Sequence, residues 1–361
     1  MDKIKIGIIG TGVGIRTHLK GFRNFSDAEV YAIAGSSEER SKYFAREYDI
    51  PVACKDYKEL CDMDDIDLVC ITTPNNFHKD MLLYAVSKNK NIICEKPMVN
   101  TMEEAEEIEK IVKDYNKILI IDHQLRFNPY IIEIKKLIND GTLGKIYNVR
   151  LNQQGTGFVN PSANWSWSFS DKDGGGVRLA MASHFTDLIE YWFGERDIVS
   201  ITASMNPITK ERLGQKVNAS TTVNAFIKLK DELTIEYAIN AGSYIGSRFD
   251  ITVFGDKGEL TFTLQDKLKL YLRSSIGEAR VITPEGVYQD ELENKVSIFS
   301  GSFRYLAPKI IKAIKENNNE YINIASTPKD SIYSLKVLDA IKESANKGTS
   351  VIFEEEENTY F

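Results

Sequence analysis

In the N-terminal third of the chain, apolar residues gather in short unbroken runs: KIKIGIIG at 3–10, EVYAIAG at 29–35, IDLVCITT at 66–73, NIICE at 91–95 and ILIIDHQ at 118–124. Stretches with apolar residues at helical spacing lie between them, such as SEERSKYFAREY at 37–48 and TMEEAEEIEKIVKDY at 101–115. A strand buried on both faces reads as a continuous apolar run, so this alternation predicts a parallel sheet covered by helices on both sides. From about residue 145 the texture changes. KIYNVRLNQQ, DIVSITASM, TTVNAFIKLK, ELTIEYAINAG, RFDITVFG and GELTFTLQD are strand-like, and several alternate apolar with polar residues. LKDELTI and FGDKGELTF carry turn residues between two such strands and predict hairpins. The second half is thus expected to form a mainly antiparallel sheet with one open or partner-covered face, closed by helices near 302–317 and 327–347.

A chain of 361 residues is long enough for two cores. The expected division is a dinucleotide-binding α/β domain at 1–122, a C-terminal α+β domain at 123–352 and an acidic tail at 353–361. The net charge of -7 argues against a surface built to coat nucleic acid. No apolar run has the length of a membrane span, so no membrane partner is expected. The start MDKIKIGIIG goes directly into structure with no signal-peptide pattern, and a cytoplasmic protein is expected. Cys54, Cys61, Cys70 and Cys94 lack metal-ligand or CxxC spacing, and the four histidines form no paired pattern, so no metal site is expected.

The chemistry is expected just past the carboxyl ends of the predicted strands, where open α/β sheets bind ligands. After the first strand comes Gly10-Thr11-Gly12-Val13-Gly14, glycine-rich and opening a helix, which suits a pyrophosphate at a helix N-terminus. A strict G-x-G-x-x-G would place its third glycine at 15, where this chain has Ile15. The second strand ends without the Asp or Glu that pairs with a ribose 2′-hydroxyl in NAD-binding domains. Ser36, Ser37 and Arg40 stand there instead and suit a 2′-phosphate, which favours NADP(H) over NAD(H) while leaving both as candidate cofactors. The later strand ends supply Thr73, Pro74, Asn75 and His78, then Glu95 and Lys96. A lysine there can hydrogen-bond and polarise a substrate oxygen.

CEKPM after a strand resembles the Glu-Lys-Pro motif of the Gfo/Idh/MocA oxidoreductases. Further matches follow in that family's order: GTG near the start, TPNNFH, RFNP at 126–129, GTLGKI at 141–146, GGG…H…D at 174–187 and FGDKGEL at 254–260. The resemblance covers nearly the whole chain. It implies a Rossmann domain joined to an α+β domain with a large open-faced sheet, which serves homodimers or homotetramers. It also implies hydride transfer between a nicotinamide and a hydroxyl or carbonyl carbon of a sugar, cyclitol or sugar derivative. Lys96 would contact the reacting oxygen, and His184 would be the acid/base. Arg126 resembles a family residue near the cofactor. Asp122, Trp165, Trp167 and Asp187 are candidate substrate contacts. The family pattern places an Asp four residues before the histidine, where this chain has Ala180. That departure keeps a second reading open: a catalytically impaired regulatory or scaffold protein of the same fold.

Overall fold

The computed structural model describes residues 3–160, 164–195, 197–293 and 295–353; of the acidic tail, only Phe353 lies among them. The chain divides into two compact units, residues 1–132 with 286–335, and residues 133–285 with 336–361. The segment 286–335 thus belongs to the first unit, whereas the sequence reading carries the second domain through 352. Packing explains the return. The helix Ile298–Glu316 buries Phe303, Leu306 and Ile310 in the same core as Ile6, Ile8 and Phe22 of the N-terminal sheet and helix.

In the first unit, six strands are found among the described residues: β1 Ile4–Ile9, β2 Ala28–Ala34, β3 Val52–Cys54, β4 Leu68–Ile71, β5 Asn91–Glu95 and β6 Leu119–Asp122. They pair in parallel in the order β3-β2-β1-β4-β5-β6. β4 is buried throughout, as its apolar run requires. The order reverses direction between β1 and β4, the switch point where such sheets bind ligands.

In the second unit, β7 Ile146–Gln154, β8 Ile198–Asn206, the short ribbon β9 Glu211–Arg212 with β10 Gln215–Lys216, β11 Thr222–Leu229, β12 Thr234–Asn240, β13 Arg248–Gly255, β14 Gly258–Thr263, β15 Lys267–Leu272, β16 Ala279–Ile282 and β17 Val351–Ile352 follow. Among the described residues, nine of these form one sheet, β16-β15-β14-β13-β7-β12-β11-β8-β17, antiparallel except for the β7–β12 pair. The alternation holds along β11, where Val223, Ala225, Ile227 and Leu229 are buried while Asn224, Phe226 and Lys228 are exposed. The open face carries polar cross-strand pairs, Arg150 with Glu236 at 3.1 Å and Asn152 with Asp250 at 3.0 Å. On the other face, the helix Ser183–Phe193 seats Phe185 against Tyr237 and Phe249. Among the described residues, no helix is long and apolar enough to cross a membrane.

Candidate functional site

The loop after β1 is built by close packing. Gly10 has φ +111°, a conformation L side chains rarely adopt, and a Cβ there would meet the Thr72 carbonyl at 2.6 Å. At Gly14 a Cβ would lie 2.5 Å from Thr72 Oγ1 and 2.6 Å from Ile8 Cγ2. Gly14 therefore fills the role of the third motif glycine, letting helix and sheet touch. It does so one position early, at the start of a π turn, Gly14–Leu19. The sequence pattern misses that shift, since a π turn has no periodic signature. Thr72 is fixed in turn, its amide and hydroxyl each donating to the Ile9 carbonyl at 2.8 Å.

At the end of β2, Ser36, Ser37 and Arg40 are exposed. Ser37 caps the helix Glu38–Glu47 by accepting from the Arg40 amide, and the Arg40 Nε donates to Thr11 Oγ1 at 2.6 Å. Glu38 is taken by Lys42 at 2.5 Å and lies exposed. This rim therefore presents two hydroxyls and a guanidinium beside the glycine loop. Val13 precedes the π turn with helical backbone angles.

At the end of β4, Thr73 and Pro74 are half-buried and Asn75 is buried. His78 is fully buried, its ring nitrogens 2.8 Å from the Thr73 carbonyl and 3.0 Å from the Pro97 carbonyl. It ties the loop after β4 to the loop after β5, and burial holds its imidazole below the ordinary value.

Lys96 follows β5 and is half-buried. Burial pulls its ammonium below the ordinary lysine value, while the Glu95 and Asp122 carboxyls oppose that fall. Glu95 and Asp122 are register partners at the ends of adjacent parallel strands. Both lie on one imidazole: His18 Nε2 is 3.2 Å from Glu95 Oε1 and 3.0 Å from Asp122 Oδ2. Burial alone would lower His18, yet the neighbouring Asp122, Cys70 and Glu95 hold it well above its usual value. Burial would raise Glu95, and the His18 hydrogen bond keeps it below the ordinary carboxylate range. Burial pushes Asp122 up to about 6. Of two carboxylates sharing one cation, one ends high. Beyond β6, burial and then the neighbouring Arg126 push His123 well down, and Arg126 reaches Asp330 at 3.4 Å.

In the second unit, Gly176 (φ +87°) lies against the backbone of Ser220 and leads into a π turn, Arg178–Ala182, before the helix with His184. His184 and Asp187 are buried, at 4% and 1% exposure, whereas Ala180 is exposed. Widened π turns recur at functional sites. Trp167 is 39% exposed, and Trp165 is half-buried with its indole N–H 3.4 Å from the Lys216 carbonyl.

His18 is the residue sequence reasoning passed over. Its signal was present: Ile15, His18, Leu19 and Phe22 recur at helical spacing, and all four are buried. A histidine on such a face reads as core until the carboxylates of two distant strand ends are placed beside it.

Two family models match the chain: the oxidoreductase family with an NAD-binding Rossmann fold over residues 4–123, and that family's C-terminal alpha/beta domain over 135–353. Glucose-6-phosphate 3-dehydrogenase of Bacillus subtilis is 24% identical over 358 residues, covering 96% of this chain and 98% of that protein. Levoglucosan dehydrogenase of Pseudarthrobacter phenanthrenivorans is 29% identical over 213 residues, 56% of this chain and 55% of that protein. The solved structure of a levoglucosan dehydrogenase in complex with NADH and levoglucosan superposes with a TM-score of 0.86 at 23% identity, covering 97% and 99% of the two chains, a likeness of fold. With both of its domains matched in order, a glycine loop at the switch point and the Glu95-Lys96-Pro97 strand end, this chain belongs to the Gfo/Idh/MocA family of oxidoreductases.

Proposed function

We propose that this protein transfers hydride between a nicotinamide cofactor and a carbinol or carbonyl carbon of a sugar, cyclitol or sugar derivative. The observation that carries the reading is Lys96, an ammonium poised by burial at the end of β5, in the sheet whose first loop is the glycine cradle. The cradle suits a dinucleotide: a Cβ at Gly12 would meet nothing within 4 Å, so space stands open above the loop. When bound there, the nicotinamide accepts or supplies the hydride.

The protein's own groups do the rest. Lys96 donates a hydrogen bond to the reacting oxygen and stabilises the negative charge that gathers on it. His184 takes the hydroxyl proton in oxidation and returns it in reduction, as an imidazole near neutrality can. Trp167, with its exposed indole, supplies a flat apolar face on which a sugar ring can stack. Ser36, Ser37 and Arg40 make NADP(H) the preferred cofactor, since a guanidinium with two hydroxyls matches a phosphate. The open face of the nine-stranded sheet, with Phe226 at 46% and Tyr147 at 49% exposure, is proposed as the surface joining copies into a dimer or tetramer.

Names among the relatives point to substrates worth testing: levoglucosan, glucose 6-phosphate, myo-inositol and scyllo-inositol. Each would be supplied with NAD+ and with NADP+, following reduced-nicotinamide absorbance. Turnover of one or more, faster with NADP+, is expected. Binding of cofactor with no turnover of any sugar or cyclitol in either direction would favour the regulatory reading.

A further inference from the structure

We propose that His18 is a positioning residue for Lys96: it draws the carboxylates of Glu95 and Asp122 into one buried triad, and that triad fixes the strand end from which Lys96 follows, Glu95 Oε2 accepting from the Lys96 amide at 3.3 Å. This rests on the assignment of Lys96 to the reacting oxygen.

Glu95 and Asp122 are brought side by side by strand register, on neighbouring strands that run about 4.8 Å apart. Two buried carboxylates at that spacing repel, and a cation between them is what lets both stay ionised. His18 Nε2 occupies that place, at 3.2 and 3.0 Å from the two oxygens. The ring is fully buried and packs on Phe303, with centroids 4.3 Å apart, so its orientation is set by the core. The helix that carries it begins at the glycine loop, which ties the triad to the cofactor end of the sheet.

The charged and titratable groups around the triad are Cys70 on β4, His78 beside the loop after β5, Lys96 itself, and His123 beyond β6 with Arg126 and Asp330 behind it. Charges balance with His18 and Lys96 protonated and both carboxylates ionised. Asp122 is the weak member. When it takes a proton, Lys96 loses one of the two carboxylates that offset its burial. Wild-type kcat should therefore fall as pH drops through about 6.

The test is the pH profile of kcat and KM with the fastest sugar or cyclitol of the panel above. His18→Gln keeps an N–H donor and removes the cation. The acidic limb should then move up by about one pH unit or more, because a carboxyl pair without its cation holds a proton more tightly. At pH 7 kcat should fall about twofold or more, recovering toward pH 9, with KM changed by less than about threefold. In His18→Gln/Asp122→Asn there is no carboxyl at 122 to protonate, and the displaced limb should vanish.

A second readout needs no substrate. With only four histidines in the chain, 15N-histidine NMR resolves each ring, and His18→Gln assigns the signal. His18 should carry protons on both ring nitrogens at pH 7. The proposal is overturned by a neutral His18 at pH 7, by an unmoved acidic limb in His18→Gln, or by a stoichiometric metal ion that leaves the protein with His18. Undiminished turnover in Lys96→Met would instead overturn the Lys96 assignment, with the ionisation of the triad still read independently by NMR.

Discussion

Gly14→Ala and Gly12→Ala separate the architecture of the cradle from its use. At Gly14 the new methyl would lie 2.5 Å from Thr72 Oγ1 and 2.6 Å from Ile8 Cγ2, about 1 Å inside ordinary contact. Neither neighbour can yield cheaply: Thr72 is held by its two bonds to Ile9, and Ile8 is fully buried in the sheet. Overpacking of this kind costs about 1–3 kcal/mol. Freeing Thr72 by breaking one hydrogen bond would cost about 1 kcal/mol more. Replacing glycine by alanine stiffens the unfolded chain and returns about 0.4–1 kcal/mol. The net expectation is a loss of about 1–3 kcal/mol, read as a drop of about 0.5–1.5 M in the urea midpoint at a slope near 2 kcal/mol per molar. At Gly12 the methyl meets nothing, and φ is not in the left-handed region, so the midpoint should move by less than about 0.5 M. The cofactor should reverse the ranking of the damage. Gly12→Ala fills the space a pyrophosphate needs and should weaken nicotinamide binding at least about tenfold by calorimetry. A wild-type midpoint for Gly14→Ala, or undiminished cofactor affinity for Gly12→Ala, would refute the reading of the loop.

Other substitutions probe separate elements. If Arg40 meets a 2′-phosphate as proposed, Arg40→Ala should weaken NADPH binding about tenfold or more while NADH changes by less than threefold, measured by fluorescence titration. Asn128 is fully buried, donating to Glu291 at 2.7 Å and Ser302 at 3.0 Å and accepting from the Tyr130 amide at 3.0 Å. Asn128→Ala removes three buried hydrogen bonds and should cost about 2–4 kcal/mol in chemical denaturation; a loss under 1 kcal/mol would mean that the network is not a tie. Ala180→Asp places a carboxylate at an exposed position, so stability should change by less than about 0.5 kcal/mol. Its turnover should stay within about threefold of wild type if His184 works without that carboxylate, and a gain of about a hundredfold would show that it does not.

The fold was legible wherever burial imposes a period. The unbroken apolar runs of β1, β4 and β5 announced a parallel sheet, and the alternation along β11 and β12 announced the second one. Short strands such as β3 and the edge strand β16 carry too few residues for a pattern to stand out. The return of residues 286–335 to the first unit depends on which core a helix meets, and an amphipathic stripe around Phe303 and Leu306 does not name its partner. Strand ends pointed to the glycine loop, Thr73 to Asn75, and Lys96, because a parallel sheet gathers its carboxyl ends on one rim. The His18–Glu95–Asp122 cluster is a product of register across 104 residues of separation between first and last member, and no local pattern encodes it.

The most direct measurement pairs cofactor affinity with the rate of nicotinamide reduction in wild type and Lys96→Met. Methionine keeps most of the side chain's length and apolar volume and lacks the ammonium. Lys96 at the reacting oxygen predicts a cofactor Kd within about threefold of wild type and a kcat lower by about a hundredfold or more. A kcat within threefold of wild type would contradict the mechanism, because the cation poised by burial at the end of β5 would then take no part in the chemistry.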